Sequence, residues 1–323
     1  MKFPLLRTVY RTPLLRLVGR RLSPTAVFRL SCLWSRFLWW CYPHSARSLA
    51  PVVALFRSRE GIKAGRARAL DHLTFRRWVN HLEHAWCVWA GKADQLCVIM
   101  GEELLAAALK AGEGAILLSA QEYGHVRMVA PVLAQRGYCI TRWGSPVGDC
   151  HQEARWGKGD YARWNHLNYR GDRWHQFRMI QSLRSELAQN RVVHMSIQLL
   201  KQADCEYRVA NCYRELYLDP RTIALLELLG VPVLPTFALM DRSGKVVLKI
   251  YQPIPPTSKT IIRGFGEIYA AHLDQFPELA RNWRRILRSH STPPRGRIAT
   301  VPLGSVKEEG DTIPSECGVL SDC

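Results

Sequence analysis

The sequence predicts an α/β fold, with a central mixed sheet flanked by helices and an N-terminal helical segment suited to a membrane interface. Three observations carry this. Short apolar runs at 115–119, 139–143, 192–198, 231–239 and 245–251 are separated by stretches of helical period, the alternation expected of a layered sheet. Hydrophobic residues make up 47 % of 323 residues, ample for a substantial core. Finally, the first 44 residues concentrate Arg and Trp, which separates them in character from the rest of the chain. The expected organisation is a basic, Trp-rich segment at 1–44, an α/β domain at 45–288 and a disordered tail at 289–323, where Pro and Gly recur with few aromatics.

Charge narrows the class of partner. The net charge is +18, with a pI near 9.8, so the partner is acidic: phospholipid headgroups, an acidic carrier protein or nucleic acid. Eleven Trp favour a membrane surface, because the indole is apolar while its N–H wants a polar neighbour. Helix-turn-helix spacing, zinc-finger cysteines and an aromatic RNA-binding motif are all missing, so nucleic acid is not the expected partner. The ten Cys are scattered without a Cys-x2-Cys pair, which reads as free thiols in a reducing compartment.

Along the chain, Arg7, Arg11, Arg16, Arg20 and Arg21 recur among Leu and Val in a segment that either lies on an anionic bilayer or is a presequence or frayed basic end. Residues 25–42 are apolar and aromatic but interrupted by Arg29 and Arg36. A central Arg costs about 2.5–3.5 kcal/mol on insertion scales, so an in-plane helix is expected, not a spanning one. Residues 45–90 have helical spacing; His72, His81 and His84 lie there without an acidic partner, and no metal is implied. A helix at 102–111 leads through Gly112 and Gly114 into the strand at 115–119, then a polar turn at 121–125 and an amphipathic helix ending near Gly137. The polar stretch 144–171 carries His151, Arg155, Arg163 and His166, either a phosphate-contacting loop or a solvated surface. A helix at 177–189 ends at Asn190, and another at 222–229 is capped by Gly230. A strand interrupted by Pro232 and Pro235 comes next, then a turn at 241–244, a further strand, and a last helix at 261–287 that Pro277 kinks or divides.

Two blocks, GAILLSAQEYGHVRMVAPVLAQRGY (114–138) and LLELLGVPVLPTFALMDRSGKVVLKIYQPI (225–254), carry a family resemblance. They resemble the bacterial lipid A late acyltransferases of the lauroyl/myristoyl, HtrB type, in which a strand runs into a His-x4-Asp/Glu motif at a helix start. The resemblance spans roughly 45–288 and implies a glycerolipid acyltransferase-like α/β fold. It also implies an acyl thioester on carrier protein or coenzyme A as donor, a lipid or glycolipid hydroxyl as acceptor, and a peripheral or monotopic position on the cytoplasmic face of the bacterial inner membrane. The motif itself departs: Glu122 stands at the His position and Arg127 at the acidic one. The matching strand keeps Gln198 but has Ile197 where Asp is common, and Asp219-Pro220-Arg221 stands where a small-residue turn positions acceptor or phosphate.

Acyl transfer to a hydroxyl needs a base near neutrality. Three readings are open. Glu122 raised by burial, or His125 three residues on, serves as base in a working acyltransferase. Alternatively the fold binds lipid or acyl carrier without catalysis, with Glu122 and Arg127 as a structural pair. The third reading is a basic nucleic-acid binder. Arg221 either meets a phosphate at its helix start or pairs with Asp219 as a cap.

Overall fold

The computed structural model describes residues 22–41, 43–89, 93–144, 164–168, 173–199, 208–210, 215–241, 243–281 and Trp283. The expected basic N-terminal stretch, most of the 144–171 loop and the tail lie outside the described residues. Three helices open the described residues: α1 (Pro24–Cys41), α2 (Pro43–Glu60) and α3 (Ile62–Trp89). Gly61, at φ 83°, divides the long 45–90 helical stretch into α2 and α3. Then come β1 (Cys97–Met100), α4 (Glu102–Lys110), β2 (Ala115–Ala120), α5 (Val129–Gln135), β3 (Ile140–Gly144) and β4 (Trp164–Asn168). The second half adds α6 (Arg173–Ala188), β5 (Val192–Ile197), β6 (Arg208–Ala210), β7 (Glu215–Tyr217), α7 (Pro220–Leu229), β8 (Val233–Met240), β9 (Val246–Ile250) and α8 (Ser258–Gln275).

The expected α/β architecture with a mixed sheet is present. Its strand order is β1-β9-β8-β2-β5-β3-β4, with β6 and β7 forming a separate two-stranded ribbon. From β8 to β4 all neighbours are parallel, β8 and β9 pair antiparallel, and β1 runs parallel to β9. Five strands thus end at one edge. Alternation along β2 builds the core on both faces: Ile116, Leu118 and Ala120 join α2, α3, α6, α7 and α8 on one side, Ala115 and Leu117 join α1, α4 and α5 on the other. Pro235 sits where β8 changes partner, the last residue registered with β2 and one before the β9 pairing begins, so its missing N–H interrupts neither ladder.

Several details depart from the sequence reading. The helix after the turn begins as a 3₁₀ turn, Val126–Met128, and α5 is buried from Val129 to Ala134, so it is a core helix without the expected polar face. The last helix stops at Gln275, and Pro277 opens a separate 3₁₀ turn, Pro277–Leu279. Within the polar 144–171 stretch lies β4, registered on β3. Elsewhere the local chemistry is as read. Asn190 adopts φ 56°, and its side chain stitches α4 to β2 by accepting from Gly114 N–H at 3.1 Å and donating to the Leu109 carbonyl at 2.8 Å. Gly230 closes α7 in the left-handed region.

Candidate functional site

The turn after β2 sits at the edge where the parallel strands end, the usual place for a site in an open α/β sheet. Its backbone is held from four directions. Gln121 N–H donates to the Ile197 carbonyl at 3.0 Å, Tyr123 N–H to Ala120 at 3.2 Å, Gly124 N–H to Leu279 at 2.9 Å and His125 N–H to Ala238 at 2.6 Å. The Glu122 carbonyl in turn accepts from Arg281 N–H at 2.6 Å, and Tyr123 bridges to Ala280. These four amide protons are thus engaged within the fold.

Tyr123 is the anchor. Its buried hydroxyl donates to the carbonyls of His272, at 2.8 Å, and Phe276, at 3.1 Å, and its ring meets Tyr269 and Phe237 edge-on. The strap that closes over it, 277–281, is fixed in turn. Arg68 of α3 pairs with Glu278 at 3.0 Å and with Glu60 at 3.3 Å, His72 Nδ1–H donates to the Glu278 carbonyl at 2.9 Å, and the Trp283 indole donates to Pro277 at 2.9 Å. Burial pushes the Glu278 carboxyl up to about 7 despite the Arg68 guanidinium beside it. Burial likewise drives His72 down to about 4.

Of the residues singled out in the sequence, Glu122 and His125 are both buried in this turn. His125 is the unusual one. Its ring stands edge-on to Phe75 of α3, 5.2 Å between centroids, and among the described residues neither ring nitrogen has a hydrogen-bond partner. Burial, reinforced by the positive charge of Arg281, pushes the imidazole down to about 3, so it is neutral across the physiological range. The Glu122 carboxylate raises the buried Tyr269 hydroxyl, after burial itself, well above its ordinary value. Arg127 lies on the 3₁₀ turn, half-buried, five positions beyond Glu122.

Gln198 and the Asp219–Arg221 turn, distant in sequence from Glu122, reach the same sheet edge. The Gln198 carbonyl accepts from Asp219 N–H at 3.1 Å, next to the Leu199–Leu218 bridge, and β5 ends one residue before Gln198, where Ile197 holds Gln121. Asp219 is the N-cap of α7: its carboxylate accepts from Arg221 N–H at 3.1 Å and from the Thr222 hydroxyl at 3.4 Å. The capping role is therefore seen directly, made to the Arg221 backbone, while the Arg221 side chain is exposed. His151, Arg155 and Arg163 lie outside the described residues, as does the side chain of His166.

Sequence reasoning missed a second buried polar group. Ser119 Oγ on β2 and His194 Nε2 on β5 share a hydrogen bond at 3.1 Å, and Arg142 of β3 is in register with His194. Burial and then Arg142 push His194 down to about 3. The signal was present as single polar residues in apolar strands, but the pair is separated by 75 positions and only the register joins it. Among the described residues, no cluster of three or more His, Cys, Asp or Glu could hold a metal.

Neither a family model nor a curated protein matches the chain.

Proposed function

We propose that the chain is a lipid acyltransferase-like protein that moves an acyl chain from a thioester, on carrier protein or coenzyme A, to a lipid or glycolipid hydroxyl at the cytoplasmic face of a bacterial inner membrane. The observation that carries this reading is His125: a fully buried imidazole, without a partner at either nitrogen among the described residues, in the turn at the C-terminal edge of the parallel strands. Leaving a buried polar group unpaired costs about 1–3 kcal/mol, a cost a fold sustains where the group has work to do. His125 is neutral, so it accepts the acceptor's hydroxyl proton; the oxygen then bonds to the thioester carbonyl carbon, the carbon–sulfur bond breaks, and the thiol leaves with a proton. Glu122 is buried in the same turn, and Gln198 and the Asp219–Arg221 turn, at the same sheet edge, are assigned in this reading to the acceptor. The resemblance of 114–138 and 225–254 to the lipid A late acyltransferases supports the substrate class.

The second reading, a relative that binds lipid or acyl carrier without transferring, has one observation in its favour. An imidazole whose basicity is pushed to about 3 is a weak base until substrate changes its surroundings.

The test is transfer from a mixed panel of acyl-carrier and acyl-coenzyme A thioesters into total membrane lipid. Wild type gives product, His125→Leu gives none while its unfolding midpoint stays level or rises, and Glu122→Gln alters the rate. Undiminished transfer by His125→Leu rejects the assignment of the base. No product from wild type, with donor still bound, establishes the binding reading.

A further inference from the structure

The outward side of α1 is apolar. Leu30, Leu33, Trp34 and Phe37 are 53, 59, 41 and 49 % exposed, and their spacing places them along one stripe of the helix. Trp34 and Phe37 stack with centroids 5.5 Å apart. The opposite side is committed to the protein: Phe28 and Ser35 are buried, and the Phe28 ring meets Trp78 of α3 edge-on at 5.4 Å. The helix is thus held by one side and presents four adjacent large apolar side chains on the other, a contiguous patch unlike a lone exposed Leu.

Charge selects what covers it. Arg29 and Arg36 are exposed, one helical heptad apart, along one flank of the stripe, and 22–41 contains no acidic residue. The preceding residues add Lys2, Arg7, Arg11, Arg16, Arg20 and Arg21, again with no acid. A second copy would bring another +18 against this flank, whereas anionic headgroups neutralise it. No helix of the described residues is long and apolar enough to cross a membrane. We infer that the Leu30–Leu33–Trp34–Phe37 stripe is a membrane-docking surface, with α1 lying in the plane of an anionic bilayer and Arg29 and Arg36 at the phosphates. This deepens the acyl-transfer reading, on which its functional use rests. Phe75, beside His125, and Trp78, beside Phe28, are three residues apart on α3, so one helix separates the candidate turn from the docked surface.

Flotation of the full chain with vesicles of phosphatidylcholine, with or without one quarter phosphatidylglycerol, tests the inference at low and high salt. Wild type binds the anionic vesicles and weakens with salt. The exposed triple variant Leu33→Ser/Trp34→Ser/Phe37→Ser loses at least about 100-fold in partitioning, and Arg29→Glu/Arg36→Glu at least about 30-fold. Circular dichroism confirms that both stay folded. Wild-type binding by the triple variant overturns the inference. So does loss of binding on deletion of residues 1–21 while the triple variant binds normally, or a change in the triple variant's oligomeric state with vesicle binding unaltered. Transfer measured in detergent micelles keeps the two readings apart: lost docking with micellar transfer retained supports both. Lost docking where even wild type gives no micellar product leaves the surface standing and rejects transfer.

Discussion

Gly124 is the position where a single methyl group should do most damage to the candidate turn. It sits at φ 59°, and a Cβ there would run into the carbonyl oxygen of Ala238, with the carbonyl carbon at 3.1 Å. That same carbonyl accepts the 2.6 Å hydrogen bond from His125 N–H, so backing it away from the methyl sacrifices a buried bond that fixes His125. The left-handed backbone costs an alanine about 1 kcal/mol, and the orphaned buried amide and carbonyl about 1–3 kcal/mol more. Gly124→Ala should therefore lower stability by about 2–4 kcal/mol. Gly230 supplies the control: φ is 73°, with nothing within 4 Å of a built Cβ, so Gly230→Ala should cost about 1 kcal/mol. Both substitutions reduce unfolded-chain entropy alike, and that contribution cancels in the comparison. Urea unfolding of the two variants gives the difference directly. If Gly124→Ala falls within about 0.5 kcal/mol of Gly230→Ala, the argument that β8 braces the turn is wrong.

Two further predictions concern the strap over the turn. The Glu278 carboxyl titrates at about 7 in the folded chain against an ordinary 4.5, so between those values the folded state holds a proton that the unfolded state has released. Its stabilising share is complete below about pH 4.5 and is lost as pH rises through about 7, a change of about 3 kcal/mol at 1.36 kcal/mol per unit. The stability of wild type relative to Glu278→Gln should fall by about that amount from pH 4.5 to 8, and a flat difference in urea midpoints would contradict it. The buried histidines 72, 125, 194 and 272, lowered to about 3–4, act oppositely in both proteins: their share is present above pH 6.5 and lost as pH falls toward 4, so they cancel in the comparison. Tyr123→Phe removes the hydroxyl that reaches the His272 and Phe276 carbonyls and should cost about 1–2 kcal/mol, with faster amide exchange at Gly124 and His125; unchanged exchange would show that the strap holds without it.

Much of the sheet was legible because its strands are apolar runs closed by residues with their own conformational reasons. Asn190 and Gly230 are such residues, as is Asp241, whose carboxylate accepts from Ser243 and Lys245. The missed elements have no such punctuation. Strand β1 has only four residues, two of them exposed at Val98 and Met100, and it owes its existence to β9, some 150 positions later. The 3₁₀ start and the buried surface of α5 were hidden because period alone does not distinguish a half-buried helix from one enclosed all round. At the site, Glu122, His125 and the Asp219 cap could be named from type and spacing. Their setting could not, because the groups that define it, Phe75, Arg281 and the 277–281 strap, come from helices and turns with no local relation to the turn.

The strap also has a consequence for when the site comes into being. A chain leaving the ribosome can lay down β2, β5 and β8 before residue 277 has been made, yet the two backbone hydrogen bonds that bridge 122–124 to the strap await Leu279 and Arg281. The turn bearing Glu122 and His125 is thus among the last parts to be secured, and a chain stopped short of residue 277 would have its main sheet but a loose turn at the candidate site. Completion of synthesis becomes the step that fixes this turn.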